Sequence, residues 1–263
     1  MKYLEFLGIP GSGKTTAAKT ATTILEQQGK TVLHRWNAKQ RLIKIWLRQQ
    51  SGVFCHLIAW LSGFTTYPGA LLWSKERYWL LMHFLQQQPD LLQQVIVSAE
   101  TTETLPSQYR DMLSAEKLIR WFCDVACIYQ AGQEWLQPAD VLMLEEGWCQ
   151  QAYYLIVAFR EQNIDASNIE RYVELLPKPD GVVFLLADPE ECERRLNTRA
   201  TGIPSSILSS MTASERIALL EERLKTYRVV VDTLKKKNVP VIQLETQDKD
   251  DAGQILTDYL AHF

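Results

Sequence analysis

Short apolar runs alternate with longer stretches of helical spacing along this chain. The runs span residues 3–7, 30–34, 141–144, 181–186 and 239–244. Their apolar residues mostly do not alternate with polar ones, which is typical of strands that are covered on both faces. Helical stretches between such strands favour parallel pairing. The pattern therefore predicts an α/β fold with a doubly wound, five-stranded parallel sheet flanked by helices.

The chain shows no internal repeat, low-complexity tract or linker over its 263 residues, so we expect a single domain over 1–263. Residues from about 39 to 135 are mostly helical in pattern and predict a helical insertion between strands two and three. The most apolar segment, residues 53–73, is interrupted by His56, Gly63, Pro68 and Gly69. We expect two short helices with a turn at 65–69 there, rather than a membrane span.

Local signals mark the ends of several helices. Gly29 follows the first helix and is placed as its C-terminal cap. Asp188 followed by Pro189 predicts a capped helix start, and Thr212 with Glu215 forms a capping box ahead of a long helix towards Lys237.

The residues 8–15 read Gly-Ile-Pro-Gly-Ser-Gly-Lys-Thr, the spacing of a phosphate-binding loop (Walker A) between a strand and a helix. Glycines let the backbone curl so that its N–H groups point inward, and a helix N-terminus adds partial positive charge. Lys14 can reach the outer phosphates of a triphosphate, and the Thr15 hydroxyl can ligate Mg²⁺. The residues expected to bind the nucleotide are Gly8, Pro10, Gly11, Ser12, Gly13, Lys14, Thr15 and Thr16.

An acid pair follows the third predicted strand. Phosphoryl transfer needs a carboxylate near the magnesium ion, usually at the end of a neighbouring strand. Glu145 fits that place, either as support for Mg²⁺ or as a base, and Glu146 would point towards the acceptor. The alternative is a pair of exposed loop acids, which the four apolar residues before them make the weaker interpretation.

Two arginines precede a segment without periodicity. Arg195 and Arg199 are four residues apart, which would place them on one helical face. Residues 200–210 are rich in Gly, Pro and Ser, and we expect a lid at about 199–211 that brings cations onto the transferring phosphoryl group. The alternative is a surface salt-bridged helix with a loose loop.

Together these motifs resemble the thymidylate kinase-like branch of the nucleoside and nucleotide kinases. The resemblance rests on residues 8–16, 145–147 and 179–190, on the two arginines, and on 222–236 with 239–244. It implies ATP and Mg²⁺ as cofactors and catalytic roles for Lys14, Glu145, Arg195 and Arg199, with Thr15 and Glu145 at the metal.

The acceptor side of the resemblance is weaker, because residues 39–140 match the family poorly. Arg77 stands where thymidylate kinases place an acceptor-phosphate arginine, and Arg35, just beyond strand two, could act similarly; either could also be a surface arginine. Glu145 and Glu146 replace the Asp-Arg pair of thymidylate kinases, and deoxynucleoside kinases use a Glu in the comparable place as a base. A hydroxyl acceptor therefore stays open beside a phosphate acceptor.

The expected function is ATP- and Mg²⁺-dependent phosphoryl transfer to a small-molecule acceptor, foremost a nucleotide or nucleoside. The alternatives are a kinase of another metabolite, such as a sugar, and a regulatory P-loop ATPase that uses water as acceptor. Phosphoryl transfer to a good acceptor that is unchanged by Lys14→Ala would contradict the assignment as a kinase.

The net charge, the cysteine content and the apolar segments limit the kinds of partner that we expect for this protein. A formal charge of -3 gives no electrostatic reason to expect nucleic acid, and five cysteines without a disulfide framework favour the reducing cytoplasm. Membrane contact is not favoured, whereas the apolar segment 53–73 leaves a homodimer open. Most of the aromatic residues between 36 and 79 are expected in the core rather than stacked on a base; they include Trp46, Tyr78 and Trp79.

Overall fold

Five strands form one fully parallel sheet, as the sequence predicts. They are β1 (Lys2–Gly8), β2 (Val32–His34), β3 (Val141–Leu144), β4 (Gly181–Leu186) and β5 (Val241–Glu245). Their order across the sheet is β2-β3-β1-β4-β5, so β1 lies at the centre with β3 on one side and β4 on the other.

The computed structural model describes residues 1–49, 67–102, 114–159, 166–199, 211–245 and 249–263. Its helices are α1 (Lys14–Gln27), α2 (Arg35–Gln49), α3 (Tyr67–Gln87), α4 (Pro89–Thr102), α5 (Ala115–Trp135), α6 (Trp148–Phe159), α7 (Ala166–Leu175), α8 (Pro189–Asn197), α9 (Ala213–Lys236) and α10 (Lys249–Ala261). None of these described helices is both long and apolar enough to cross a membrane.

The sheet separates two hydrophobic cores, because successive side chains of a strand point to opposite faces. Leu4 and Phe6 of β1 point towards α1 and α10, where they join the smaller core. Tyr3 and Leu7 point to the other face and join the larger core, which the helices α2 to α9 cover. Burial on both faces explains why the strands read as nearly continuous apolar runs.

Most local signals in the sequence mark real boundaries. Gln28 takes the C-cap position of α1, one residue earlier than expected, and Gly29 follows it with a φ of 79°, a left-handed conformation that glycine adopts without strain. The Asp188 side chain accepts the Glu191 amide at 3.0 Å at the start of α8. Thr212 and Glu215 form the expected capping box of α9. These hydrogen bonds satisfy amides that the first turn of a helix leaves unpaired.

Three expectations need correction or fall outside the described residues. The predicted turn at 65–69 is wrong from residue 67 onward, because α3 begins at Tyr67 and includes Pro68 and Gly69. Proline fits the first turn of a helix, where its missing N–H is not needed. The last strand begins at Val241 rather than 239, because the Val239 amide bonds back to Leu234 of α9. Residues 200–210, which make up most of the expected lid, lie outside the described part of the chain.

A buried ion pair joins α8 to α9. Arg216 donates to Glu193 from Nε at 3.0 Å and from Nη2 at 2.6 Å, and the two side chains are 10% and 4% exposed. Asn197 supplies one further hydrogen bond to the same carboxylate at 2.8 Å. The pair holds the end of α8 against the start of α9.

Removing the cation of this pair should destabilise the protein strongly. Arg216→Met leaves the Glu193 carboxylate buried with Asn197 as its remaining side-chain donor, so we expect a loss of about 3–5 kcal/mol in unfolding free energy. The matched control is Arg120→Met, which removes an exposed pair with Glu116 and should cost about 0.5 kcal/mol or less. Chemical denaturation measures both, and similar losses for the two variants would contradict the assignment.

Candidate active site

The loop between β1 and α1 curls back over the end of its own strand. Gly11 and Gly13 have φ values of 86° and 91°, which only glycine adopts readily. A Cβ on Gly11 would lie 2.8 Å from the carbonyl oxygen of Cys192, so the loop passes directly against α8. The Ser12 amide donates to Ile9 O at 3.1 Å, which closes the turn.

Lys14 is partly buried and folds over the loop that it ends. Its ammonium donates to Gly8 O at 2.7 Å and to Ile9 O at 3.1 Å. Burial lowers the pKa of Lys14 to about 8; the charge of Glu146 raises it and that of Arg223 lowers it further. An ammonium group has three donors, so Lys14 can bond one more acceptor at the mouth of the loop.

The structure brings the first acid of the pair to the phosphate loop. Thr15 Oγ1 donates a hydrogen bond of 2.8 Å to Glu145 Oε2, across the neighbouring ends of β1 and β3. Glu145 is 9% exposed and occupies the first position after β3. A hydroxyl and a carboxylate are hard oxygen ligands, as Mg²⁺ prefers.

The spacing of these two oxygens also suits the ion. Adjacent ligands of an octahedral Mg²⁺ lie about 2.9 Å apart when each metal–oxygen distance is about 2.0–2.1 Å. Within the described residues no cluster of three or more His, Cys, Asp or Glu side chains could hold a metal. A site of one or two protein ligands suits Mg²⁺ that is otherwise coordinated by phosphates and water.

His34, the last residue of β2, lies on the other side of Glu145. Its Nδ1 is 3.7 Å from Glu145 Oε1, and its Nε2 is hydrogen-bonded to Thr22 of α1. Burial holds the pKa of His34 below its ordinary value. This residue was not predicted from the sequence, although a polar side chain at the carboxyl end of a parallel strand is a usable signal.

Glu146, the second acid, differs from Glu145 in its surroundings. It is exposed, and its backbone carbonyl accepts a hydrogen bond of 3.4 Å from the indole of Trp121 on α5. Its charge contributes to the pKa of Lys14, so the carboxylate lies within electrostatic reach of the ammonium. The two acids of the pair therefore have different surroundings.

The two arginines differ in their surroundings. Arg195, on α8, donates to Glu191 Oε1 at 2.7 Å and to Gly11 O at 3.4 Å, which holds its guanidinium at the phosphate loop. Hydrogen bonds from Arg194 and Arg195 lower the pKa of Glu191 to about 2, so this anchor stays ionised.

Arg199 does not share a helical face with Arg195. The helix α8 ends at Asn197, and the Arg199 amide bonds to Leu196 O in a tightened last turn. The Thr198 hydroxyl bonds back to the carbonyls of Arg194 and Arg195, which satisfies oxygen atoms at the helix end. The side chain of Arg199 is exposed.

The two arginines that the sequence suggests for the acceptor side lie on α2 and α3. Arg35 is the first residue of α2, at the carboxyl end of β2, and its side chain is outside the described atoms. Arg77 is 3.7 Å from Asp124 of α5, and Lys39 contacts the same carboxylate at 3.0 Å. Asp124 is one helical turn from Trp121, so α5 connects this charge cluster to Glu146.

Two further residues of the site went unnoticed in the sequence. The Gln150 side chain on α6 bonds both backbone groups of Gly8, at 3.3 Å to the amide and 3.1 Å to the carbonyl. Arg223 is 1% exposed on α9, and its guanidinium lies 4.5 Å from the centre of the Tyr153 ring. Arg223 could have been recognised from the sequence, because its spacing from Leu220 and Tyr227 places it on the buried face of the helix. No sequence pattern marks Gln150.

The aromatic residues divide between core and surface. Trp46 packs against Trp135, as expected, but Tyr78 and Trp79 are 63% and 60% exposed, which contradicts their assignment to the core. They lie on the outward side of α3, whereas Leu80 and Phe84 of the same helix are buried. Trp148, Phe84 and Trp121 form an aromatic cluster under Glu146, with Phe84 and Trp148 stacked at 5.4 Å.

Comparisons with known proteins find similarity among solved structures. The chain matches no family model and no curated protein. Among solved structures it is similar to a deoxyadenosine kinase from M. mycoides with bound dATP, at 12% sequence identity and a TM-score of 0.44. The similarity covers 99% of this chain and 100% of that one.

Proposed function

We propose that this chain is an ATP- and Mg²⁺-dependent phosphotransferase whose acceptor is a small molecule, foremost a nucleoside or nucleotide. The observation that carries the proposal is the 2.8 Å hydrogen bond between Thr15 and Glu145. It joins the hydroxyl of a phosphate-binding loop to a carboxylate from the adjacent strand, the pair on which phosphoryl transfer with a bound metal depends.

The cations around the loop have separate tasks in this proposal. Lys14 contacts the outer phosphates of the donor, and Arg195 is held against Gly11 by Glu191 before any ligand arrives. Donors that are already oriented stabilise developing charge without reorganisation during the reaction. Thr15 and Glu145 would hold Mg²⁺, which would neutralise part of the charge of the bound phosphates.

The acceptor approaches from the side of Glu146 in this proposal. Glu146 is exposed, lies within electrostatic reach of Lys14, and stands next to the half-buried ring of Trp121. An acid there suits a hydroxyl acceptor, which must lose a proton, and an aromatic wall suits a ring-bearing molecule. Arg77 of α3, which contacts Asp124 one turn beyond Trp121 on α5, would serve a phosphate on the acceptor instead.

The first test measures transfer itself. We expect [γ-³²P]ATP with Mg²⁺ to label at least one member of a panel of nucleosides, nucleoside monophosphates and sugars. Lys14→Met should lower kcat/KM for that acceptor by about 10²–10³-fold, because a donor to the transferring phosphoryl group is lost. Lys19→Met removes the same charge from an exposed position on the same helix and is the control.

Two outcomes would contradict the proposal. ATP hydrolysis that proceeds at the same rate with and without every acceptor would favour the regulatory ATPase. Equal transfer by the Lys14→Met and Lys19→Met variants would remove the phosphate loop from the reaction.

The second test separates the two acids, which are adjacent and carry equal charge. We expect Glu145→Gln to abolish most of the Mg²⁺-dependent gain in affinity for a non-hydrolysable ATP analogue, a loss of about tenfold or more. Glu146→Gln should retain that gain and lose acceptor turnover instead. Isothermal titration with and without Mg²⁺ measures the gain in affinity. Equal losses for both variants would show that Glu145 and Glu146 do not have separate roles.

A further inference from the structure

Glu5 is a carboxylate in the middle of the central strand. Its side chain is 0% exposed, and its neighbours along β1 are the buried Leu4 and Phe6. Across the sheet its partner is Leu144, the residue directly before Glu145. Burying a charge costs free energy unless hydrogen bonds satisfy it, so the carboxylate of Glu5 must have hydrogen-bond donors around it.

The carboxylate of Glu5 lies at the N-terminus of α6. Oε1 accepts the Trp148 amide at 2.7 Å and Oε2 accepts the Cys149 amide at 2.9 Å; these are the first two residues of the helix. The Tyr3 hydroxyl donates to the same carboxylate. Unpaired amides and the helix dipole favour an anion at this place. Burial raises the pKa of Glu5, and these hydrogen bonds oppose that rise.

The turn that carries the acid pair passes directly over this carboxylate. A Cβ on Gly147 would collide with the Glu5 side chain, so a larger residue at 147 would displace the Glu5 carboxylate from this position. The position of Gly147 in turn fixes the short connection from β3, whose first residue is Glu145. Glu5 therefore supports the residues from Glu145 to Cys149 from below.

The same helix also contacts the phosphate loop. Gln150, the residue after Cys149, bonds both backbone groups of Gly8, and the Gly8 carbonyl accepts the Lys14 ammonium at 2.7 Å. Fixing the first turn of α6 thus fixes Gly8 and Glu145 relative to each other. A continuous series of hydrogen bonds runs from Glu5 through α6 to the start of the loop.

We propose that Glu5 is a positioning residue, which holds the first turn of α6 so that Glu145 and the phosphate loop keep the separation that Mg²⁺-bound nucleotide requires. This inference rests on the proposed function for its consequence, but its structural part can be tested without a nucleotide. Glu5 touches neither the nucleotide nor the metal in this proposal.

The informative variant is Glu5→Gln, which preserves the shape of the side chain. A glutamine has one acceptor oxygen, and its NH₂ group would face an amide or hydroxyl donor. One hydrogen bond at the start of α6 is lost and a buried donor is left unpaired. Tyr3→Phe removes a single donor to the carboxylate and keeps the ring, and it serves if Glu5→Gln does not fold.

The control is Leu256→Ala, a buried position of α10 in the core on the opposite face of the sheet. It should destabilise the protein without touching α6, so it shows what loss of stability alone does. Temperatures are set at an equal distance below each variant's Tm.

Two measurements are made on all variants. The first is amide hydrogen exchange of the unliganded protein over residues 8–16 and 145–152. The second is the ratio of affinities for a non-hydrolysable ATP analogue with and without Mg²⁺. We expect Glu5→Gln to speed exchange in both segments and to reduce the Mg²⁺-dependent ratio by about tenfold, as the loss of supporting contacts around a metal typically does. Tyr3→Phe should change both in the same direction by less.

The outcomes separate this inference from the proposed function. If the folded variant, Glu5→Gln or Tyr3→Phe, exchanges in both segments as Leu256→Ala does, Glu5 is not a positioning residue. If exchange accelerates but the Mg²⁺-dependent ratio stays at the wild-type value, the positioning of Glu145 is likewise refuted. If wild-type protein shows no Mg²⁺-dependent affinity, the proposed function fails, and the exchange result still decides whether Glu5 fixes α6.

Discussion

The contact between Thr15 and Glu145 depends on the order of the strands. The two residues are 130 positions apart in the chain, and they meet because β1 and β3 are parallel neighbours whose carboxyl ends share one edge. The phosphate loop must then return to that edge, which the left-handed conformations of Gly11 and Gly13 allow. Any strand placed between β1 and β3 would separate the hydroxyl from the carboxylate by about 5 Å more. The arrangement of the sheet is therefore the condition for the site.

Charge balance around the loop follows from that geometry. Burial disfavours the ammonium form of Lys14, and the nearby cation of Arg223 acts in the same direction, whereas Glu145 and Glu146 favour it. A polyphosphate would add negative charge and move this balance towards the ammonium. Arg195 is held by a different interaction. Glu191 keeps its guanidinium paired and oriented at Gly11, so that binding of a ligand would lose less side-chain entropy in ordering it.

The parts of the structure that the sequence predicts are those with local signals. The apolar runs identify the strands, the spacing of Gly8, Gly11 and Gly13 identifies the loop, and Asp188 and Thr212 mark the starts of α8 and α9. Arg199 was misplaced because the end of α8 depends on how Thr198 satisfies the last carbonyls, which four-residue spacing does not reveal. The residues expected on the acceptor side were least accessible to prediction, since the contact of Arg77 with Asp124 depends on how α3 packs against α5.

Two buried charged residues could be recognised in the sequence as exceptions to the apolar pattern, but the sequence does not show which groups they contact. Glu5 interrupts an apolar strand, and Arg223 stands on the apolar face of a helix; both break the pattern that predicts their element. The partners of Glu5 are amides 143 and 144 residues away, and only the pairing of β1 with β3 brings them above it. An isolated hydrophobic core would exclude such a group, because an apolar side chain of similar volume would carry no desolvation cost. Its presence beneath the acid turn therefore indicates that the start of α6 must be held in one place, at the edge where Thr15 and Glu145 meet.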